Sequence, residues 1–161
     1  MKKLEPNRQL TYGVEDKPTH KSEQQIQGEI VSWYWNESGL ERGLLFSVFN
    51  NAIDEVKGGI QKSLGRVSGV SDLIWLSIWG PLFIELKDHK GTQGKDQVEW
   101  ELRISLYNYK YVVCRSLEQF KFILRCWIEC EGNITGIEII WRWIKHCEKH
   151  GIDKLTGEKK E

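Results

Sequence analysis

The sequence predicts an α/β domain with a mixed β-sheet flanked by helices, and three observations lead to this fold class. Apolar patterns of helical and strand period follow one another in the order helix, three strands, helix, strand, helix. The length of 161 residues suits one domain with a sizeable core. Hydrophobic residues make up 40% and charged residues 29% of the chain, an ordinary balance for a soluble globular protein.

The chain is expected to divide into three segments. Residues 1–21 are polar and contain two prolines and a glycine, which predicts a flexible N-terminal arm. Residues 22–130 carry the alternating patterns and form the main domain, and residues 131–161 form a C-terminal helical extension with a polar tail. The chain shows neither a signal peptide nor an apolar run that could span a bilayer, so we expect a cytoplasmic protein with no membrane partner.

The first helix is predicted to begin near Ser22, which suits an N-cap, and to run to about Asn36. Glu23 lies on the apolar stripe of this helix, so it is expected to point toward the body of the protein. Glu29 is the less favoured acid. The stripe consists of four bulky residues at helical spacing: Ile26, Ile30, Trp33 and Tyr34.

The first strand is predicted over Leu44–Phe49. Residues 52–64 then form a short amphipathic helix or an irregular segment. The next two strands form a predicted hairpin, in which the first strand begins with Asp72 and the second ends with Lys87. A turn about residues 79–81, Trp-Gly-Pro, places Asp72 opposite Lys87 or the residue after it.

The second strand of this hairpin carries charge on one face. Side chains two apart on a strand point to the same face, so Glu85 and Lys87 project together with Phe83. With Asp72 opposite this strand, one patch would hold two carboxylates and an ammonium. Unpaired buried charge is costly, so these three charges together indicate a function. Two neighbouring carboxylates repel each other unless a cation lies between them, and Mg²⁺ suits that place. The opposite face is apolar and consists of Leu82, Ile84 and Leu86.

Three further elements complete the predicted domain. A helix over about Asp96–Leu106 is expected to turn Val98, Leu102 and Leu106 inward. A strand follows over Tyr109–Cys114, and a capping-box pattern at residues 116–119 opens another helix. In the C-terminal extension, a helical stripe could pack on the core or on a second subunit: Ile137, Ile140, Trp141 and Ile144.

The four cysteines are expected to be reduced thiols, and two of them share a zinc-like spacing with two histidines. Three residues separate Cys126 from Cys130, and three residues separate His146 from His150. The same spacing arises when each pair lies one turn apart on its own helix. A zinc site and two ordinary helices are both compatible with this pattern.

Four short strings of the sequence together resemble the virus-type replication-repair nuclease (VRR-NUC) domain of the PD-(D/E)XK nuclease superfamily. These strings are Gly69-Val70-Ser71-Asp72-Leu73, Ile84-Glu85-Leu86-Lys87, Gln97-Val98-Glu99-Trp100 and Tyr111-Val112-Val113-Cys114. The resemblance runs from about Ser22 to about Ile128. Ser71 replaces the proline that usually precedes the acid, while the acids and the lysine are intact.

The resemblance implies a restriction-endonuclease-like fold and a metal-dependent, structure-specific DNA endonuclease. Asp72, Glu85 and the backbone carbonyl of Leu86 would bind Mg²⁺ or Mn²⁺. Lys87 would position the attacking water or stabilise the transition state. Such domains resemble small homodimers that cut branched DNA, such as four-way (Holliday) junctions, in the cytoplasm of a bacterium or a phage-infected host cell.

Three residue types have both a functional and an ordinary interpretation. Glu23 would support the metal site, or would be a first-turn glutamate favoured by the helix dipole. Gln97 would position the metal water or a phosphate, or would be an exposed glutamine at a helix start. Asn50 and Asn51 would lie near the active centre, or would form a turn or a helix cap.

Net charge is zero, with 23 basic and 23 acidic residues, which weighs mildly against tight non-specific DNA binding. The sequence leaves two other function classes open: a non-catalytic nucleic-acid-binding module with the same fold, and a zinc-stabilised interaction domain. The intact acids and lysine argue against the former. Five basic residues near the motif are nevertheless expected to hold DNA: Lys57, Lys62, Arg66, Lys90 and Lys95.

Overall fold

A computed structural model gives the fold and describes residues 20–37, 39–48, 63 and 65–160. The predicted fold class and order of elements are confirmed. The expectations for Asn50, Asn51, Lys57 and Lys62, and those for almost all of the segment 52–64 and of the N-terminal arm, lie outside the described residues. The elements are α1 (Glu23–Glu37), a 3-10 helix (Gly39–Leu44), β1 (Leu45–Ser47), β2 (Leu73–Ser77), β3 (Gly80–Leu86), α2 (Lys95–Ser105), β4 (Lys110–Cys114), α3 (Leu117–Glu129) and α4 (Gly136–His150).

The four strands form one mixed sheet in the order β1-β2-β3-β4. The first three strands are antiparallel, whereas β4 is parallel to β3. A parallel neighbour needs a crossover connection, and α2 supplies it. Glu85 therefore lies in the middle of the sheet, paired with Val113 of β4.

The hairpin register differs from the sequence-based expectation. Leu73 pairs with Ile84 and Ser77 pairs with Gly80, so the chain turns at residues 78 and 79. Continuing this register by one residue places Asp72 opposite Glu85, not opposite Lys87 or Asp88. The expected turn at residues 79–81 was wrong because Gly80 and Pro81 belong to β3, where Gly80 has a positive φ of 107°. The correction brings the two acids directly together.

The main core lies on the face of the sheet that carries Leu82, Ile84 and Leu86, all fully buried. The first helix covers part of this face. It begins as predicted, because the Ser22 hydroxyl accepts from the amide of Gln25 at 3.3 Å and the Gln25 side chain accepts from the amide of Ser22 at 2.9 Å. Its buried residues are Ile26, Ile30 and Tyr34, and Trp33 packs at the edge of the core.

The inward face of α2 was predicted wrongly. Val98, Leu102 and Leu106 are 40%, 64% and 85% exposed. The side of the helix that turns toward the sheet carries Gln97, Trp100, Glu101 and Ile104. The spacing of the apolar residues predicted the wrong inward face. The face of the sheet beneath α2 is polar around Glu85, so polar residues of the helix pack against it.

The C-terminal helices pack on the same body. Ser116 caps α3 by accepting from the amide of Gln119, as the capping pattern predicted. Helix α4 buries Ile139, Trp143 and Cys147, whereas Ile137 and Trp141 of the predicted stripe remain exposed. Within the described part of the chain, no helix is long and apolar enough to cross a membrane.

Candidate active site

The Glu85 carboxylate is the centre of a buried polar cluster. Its side chain has no solvent exposure. One carboxylate oxygen, Oε1, accepts from the Lys87 ammonium at 2.6 Å and from the Gln97 amide. The other, Oε2, accepts from the Tyr111 hydroxyl at 3.2 Å. The sheet and α2 together therefore fix this carboxylate by three donors.

Asp72 is held beside Glu85 by the main chain. Its Oδ2 accepts from the amide of Leu86 at 2.7 Å, and its own carbonyl accepts from the amide of Val48 at 2.9 Å. These two bonds anchor the residue between β1 and β3 just before β2 begins. The predicted pair of carboxylates is thus brought together at the end of the hairpin.

Lys87 lies between acids and is only 7% exposed. Besides its bond to Glu85, its ammonium lies 3.6 Å from a carboxylate oxygen of Glu23. Burial acts to lower the pKa of Lys87, but the hydrogen bond that it donates to Glu85 and the charges of Glu85 and Glu23 outweigh burial and raise the pKa. The lysine is therefore a fixed cation within the cluster.

The electrostatics of the cluster perturb the Glu85 carboxyl. Burial is the main cause that raises the pKa of Glu85 to about 7, and the neighbouring Asp72 charge adds to it, while the Lys87 bond opposes it. The carboxylate form is thus costly at this position in the absence of a further cation. Burial also raises the pKa of the Tyr111 hydroxyl, so that group remains a donor at neutral pH.

The raised pKa of Glu85 predicts a pH dependence of stability in metal-free buffer. A carboxyl that holds its proton more tightly when folded stabilises the protein at low pH, and this contribution is lost as the pH rises from about 4.5 to about 7. The full effect is ~3 kcal/mol. We expect urea unfolding to show this loss in the wild type and not in Glu85→Gln. An unchanged difference between the two proteins from pH 5 to pH 8 would contradict the prediction.

A cavity of about 480 Å³ opens beside this cluster. Asp72 and Lys87 form part of its wall, whereas Glu85 lies behind them. Gly69 has a positive φ of 78° and lets its loop approach the first turn of α2 closely. The remaining wall comes from α1, this loop and the start of α2: Glu23, Gln24, Gln27, Val70, Gly94, Lys95, Asp96 and Gln97.

The structure separates the other predicted site residues. Glu23 reaches the cluster, whereas Glu29 points away and pairs with Lys21 at 2.8 Å. Lys95 lines the cavity and pairs with Glu99 at 3.7 Å. Lys90 is exposed on the loop after β3 and Arg66 is half-buried, and neither lines the cavity.

Sequence reasoning missed a polar group of three residues that supports Glu85. Tyr111 was predicted as part of a strand and of a motif string, with no role of its own, yet its hydroxyl contacts the carboxylate. The Gln93 side chain lies beside this hydroxyl and donates to Glu101 of α2 at 2.7 Å. Tyr111 lies on the Glu85 face because it pairs with Phe83 in the parallel ladder. The sequence does not reveal this pairing.

The donor set of the cluster fits a hard divalent cation. Asp72 and Glu85 are adjacent carboxylates, and burial together with the charge of Asp72 raises the pKa of Glu85, so a further cation would stabilise the ionised pair. Two carboxylates suit Mg²⁺, which keeps several waters and is bound by one or two carboxylates plus phosphate oxygens.

In the described ranges, no three or more His, Cys, Asp or Glu side chains are grouped to hold a metal.

The zinc interpretation of the cysteine and histidine pattern is therefore not supported. Cys126 is buried in the core, and Cys130 accepts from Arg142 at 3.4 Å. The rings of His146 and His150 lie 4.5 Å apart on one helix. The spacing reflects one helical turn in each pair.

Comparison with known proteins agrees with this architecture. No family model matches the sequence, and no curated protein matches it. Among solved structures, the chain is similar to a "VRR_NUC domain protein" at 18% sequence identity and a TM-score of 0.58. The similarity covers 73% of this chain and 96% of that protein. At an identity this low, the similarity shows only the fold. The chain therefore has a VRR-NUC-like fold.

Proposed function

We propose that the protein is a metal-dependent endonuclease that hydrolyses phosphodiester bonds in DNA. The observation that carries the proposal is the meeting of Asp72, Glu85 and Lys87 at one end of the hairpin, beside an open cavity. This is the arrangement expected from the motif resemblance, and it occurs on a VRR-NUC-like fold. Cleavage of labelled DNA in Mg²⁺ or Mn²⁺, absent with a chelator, tests the proposal.

In this proposal each residue of the cluster has its own role. Asp72 and Glu85 would hold the cation, together with the Leu86 carbonyl, and Glu23 would support them from α1. A bound Mg²⁺ or Mn²⁺ lowers the pKa of a water and stabilises charge on the scissile phosphate. Lys87 would orient that water or stabilise negative charge, and Gln97 would fix Glu85 from α2.

This division of roles predicts that Lys87→Ala loses cleavage but still binds metal. The lysine contacts the carboxylates as a cation and is not a metal ligand, so the loss concerns the transition state and amounts to about 100-fold or more. Single-turnover cleavage and calorimetry with Mn²⁺ measure the two properties. Lys121→Ala, on the surface of α3, is the matched control. A metal affinity lost as fully as in Glu85→Gln would show that the roles are wrongly divided.

We further propose branched DNA as the substrate and a C2 homodimer as the active form. A dimer has two sites for two strands, as a four-way junction requires, and two-fold symmetry is the commonest form of soluble homo-oligomers. Two exposed apolar stripes are candidate interfaces because exposed stripes often mark contacts. One consists of Ile137 and Trp141 on α4, and the other of Val98, Leu102 and Leu106 on α2.

The dimer proposal predicts a substrate preference that can be measured. The protein should cut a four-way junction on two strands and faster than linear duplex, and its DNA binding should weaken steeply with salt because Lys90, Lys95 and the other basic residues contact phosphates. Trp141→Glu and Leu102→Glu test the two interfaces by light scattering. A monomer that cuts junctions at full rate would refute the dimer, and equal rates on duplex and junction would refute the substrate preference.

A further inference from the structure

A second cavity, of about 470 Å³, shares no lining residue with the first. It lies between the loop that follows β3, the end of β4, and α4 with the tail after it. This volume is within the usual range of small-molecule sites, roughly 300 to 1,000 Å³. Asp72, Glu85 and Lys87 do not contribute to its wall, whereas Gln93, which lies beside the Tyr111 hydroxyl, does.

One side of this cavity is apolar and contains a rigid aromatic ring. Trp143 is nearly buried, and its indole N–H donates to the carbonyl of Lys154 at 3.0 Å. The ring is further held by Phe122 and His146, at centroid distances of 5.3 and 5.9 Å. Because the ring is only 3% exposed, it forms a fixed part of the apolar wall and is not a stacking surface. The rest of the apolar wall consists of Val113, Ile140, Ile144 and Leu155.

The polar side of the cavity contains donors and cations, and no acidic residue lines it. Arg115 and Lys154 supply positive charge. Gln119 is only 3% exposed, and its Oε1 accepts from the amide of Arg115 at 2.7 Å. No described residue accepts a hydrogen bond from its Nε2. Because Gln119 lines the cavity, this amide is placed to donate to a ligand that brings acceptors.

The cavity adjoins the proposed cleavage site through two connections. Val113 pairs with Glu85 in the parallel ladder, and neighbouring strands lie about 4.8 Å apart. Arg115 donates through Nη1 to the carbonyls of Asp88 and Gly91, in the loop that follows Lys87. An occupant of the cavity would therefore lie one strand away from the reacting centre.

We propose that this second cavity is a nucleotide subsite, with a base in the apolar part and a phosphate beside Arg115 and Lys154. A base offers an apolar ring and ring acceptors, which match the apolar wall and the Gln119 amide, and a phosphate matches the cations. This assignment rests on the proposed function: the nucleotide is an unpaired nucleotide of the DNA that the protein cuts. A free nucleoside monophosphate has the same chemistry, so the test includes both.

The test measures binding by the full chain in chelator, where no cleavage occurs. The probes are dTMP, a blunt duplex and the same duplex with a short unpaired tail, and the readouts are calorimetry and tryptophan fluorescence. Gln119→Glu keeps the acceptor for the Arg115 amide but replaces the donor by an oxygen. It should weaken binding of dTMP and of the tailed duplex by about tenfold, since a hydrogen bond is lost and like charges meet.

Matched variants make the result decisive. Gln25→Glu is the control, because the Gln25 side chain also accepts from a backbone amide but lines neither cavity. Lys154→Ala, at an exposed position, should weaken binding too, and it serves if Gln119→Glu does not fold.

Binding of dTMP that both cavity variants weaken supports the subsite. A tailed duplex that binds more tightly than a blunt one assigns it to DNA, and equal duplex binding assigns it to a free nucleotide. If dTMP does not bind and the tail adds nothing, the subsite is refuted. Wild-type protein that binds dTMP in this way but never cleaves DNA would refute the nuclease proposal and leave the subsite standing.

Discussion

Glu85→Gln is expected to abolish DNA cleavage while leaving the fold intact. The substitution removes the charge that would bind the cation but keeps one oxygen that can accept from the Gln97 amide, while the new amide group can donate to the Tyr111 hydroxyl oxygen. The loss should be at least about 100- to 1,000-fold in rate, as for other groups that stabilise charge in a transition state. Single-turnover cleavage of a labelled junction in Mg²⁺ measures it.

The same variant should be as stable as the wild type, or more stable, in metal-free buffer at pH 8. Removing a buried negative charge beside Asp72 relieves repulsion and desolvation, and Lys87 keeps Glu23 as a partner. Glu148→Gln, at an exposed ion pair on α4, is the matched control and should change neither property. Wild-type cleavage by Glu85→Gln would end the assignment of this carboxylate.

Gly69→Ala is expected to damage both stability and cleavage. An added Cβ would overlap the carbonyl of Asp96 and lie 2.8 Å from the backbone nitrogen of Gln97, and Gly69 has a positive φ of 78°. The loop or the start of α2 must therefore move, which takes Gln97 away from Glu85. The combined cost of strain and overlap is about 2 to 5 kcal/mol.

Gly65→Ala separates the two causes of this effect. Gly65 has a similar φ of 88°, but an added Cβ there meets no atom within 4 Å. The free energy of unfolding of Gly65→Ala should fall only by the cost of the positive φ, about 1 to 2 kcal/mol, and the variant should keep cleavage. Urea unfolding and the same cleavage assay measure both variants. Equal losses in the two variants would show that the close approach to α2 does not matter.

The fold was predictable from the sequence where local pattern and packing agree. The cap at Ser22, the apolar stripe of α1 and the alternation along β3 all appear in the structure as predicted. The period of α2 gave the wrong face, because Gln97 and Glu101 pack under the helix beside a buried carboxylate. No local pattern reports that the neighbouring sheet surface is polar.

The candidate site was predictable in its motif residues and not in its supporting residues. Asp72, Glu85 and Lys87 follow from strand period and from the motif strings, although the turn was misplaced. Tyr111 could not be found, because its contact with Glu85 depends on β4 lying parallel beside β3. Strand pairing across a helical crossover is set by tertiary packing, which the periodicity of one strand does not encode.

Whether Asp72 and Glu85 form a metal-dependent cleavage site is measured by cleavage of labelled linear duplex, flap and four-way-junction DNA by the wild type and by Asp72→Asn, with Mg²⁺ or with a chelator. Asp72→Asn keeps an oxygen acceptor for the Leu86 amide and removes the charge. We expect the wild type to cut in Mg²⁺ and not in chelator, and the variant to bind the same DNA without cutting it. DNA that the wild type binds but never cuts in Mg²⁺ or Mn²⁺, or cutting that survives in Asp72→Asn, would contradict the account.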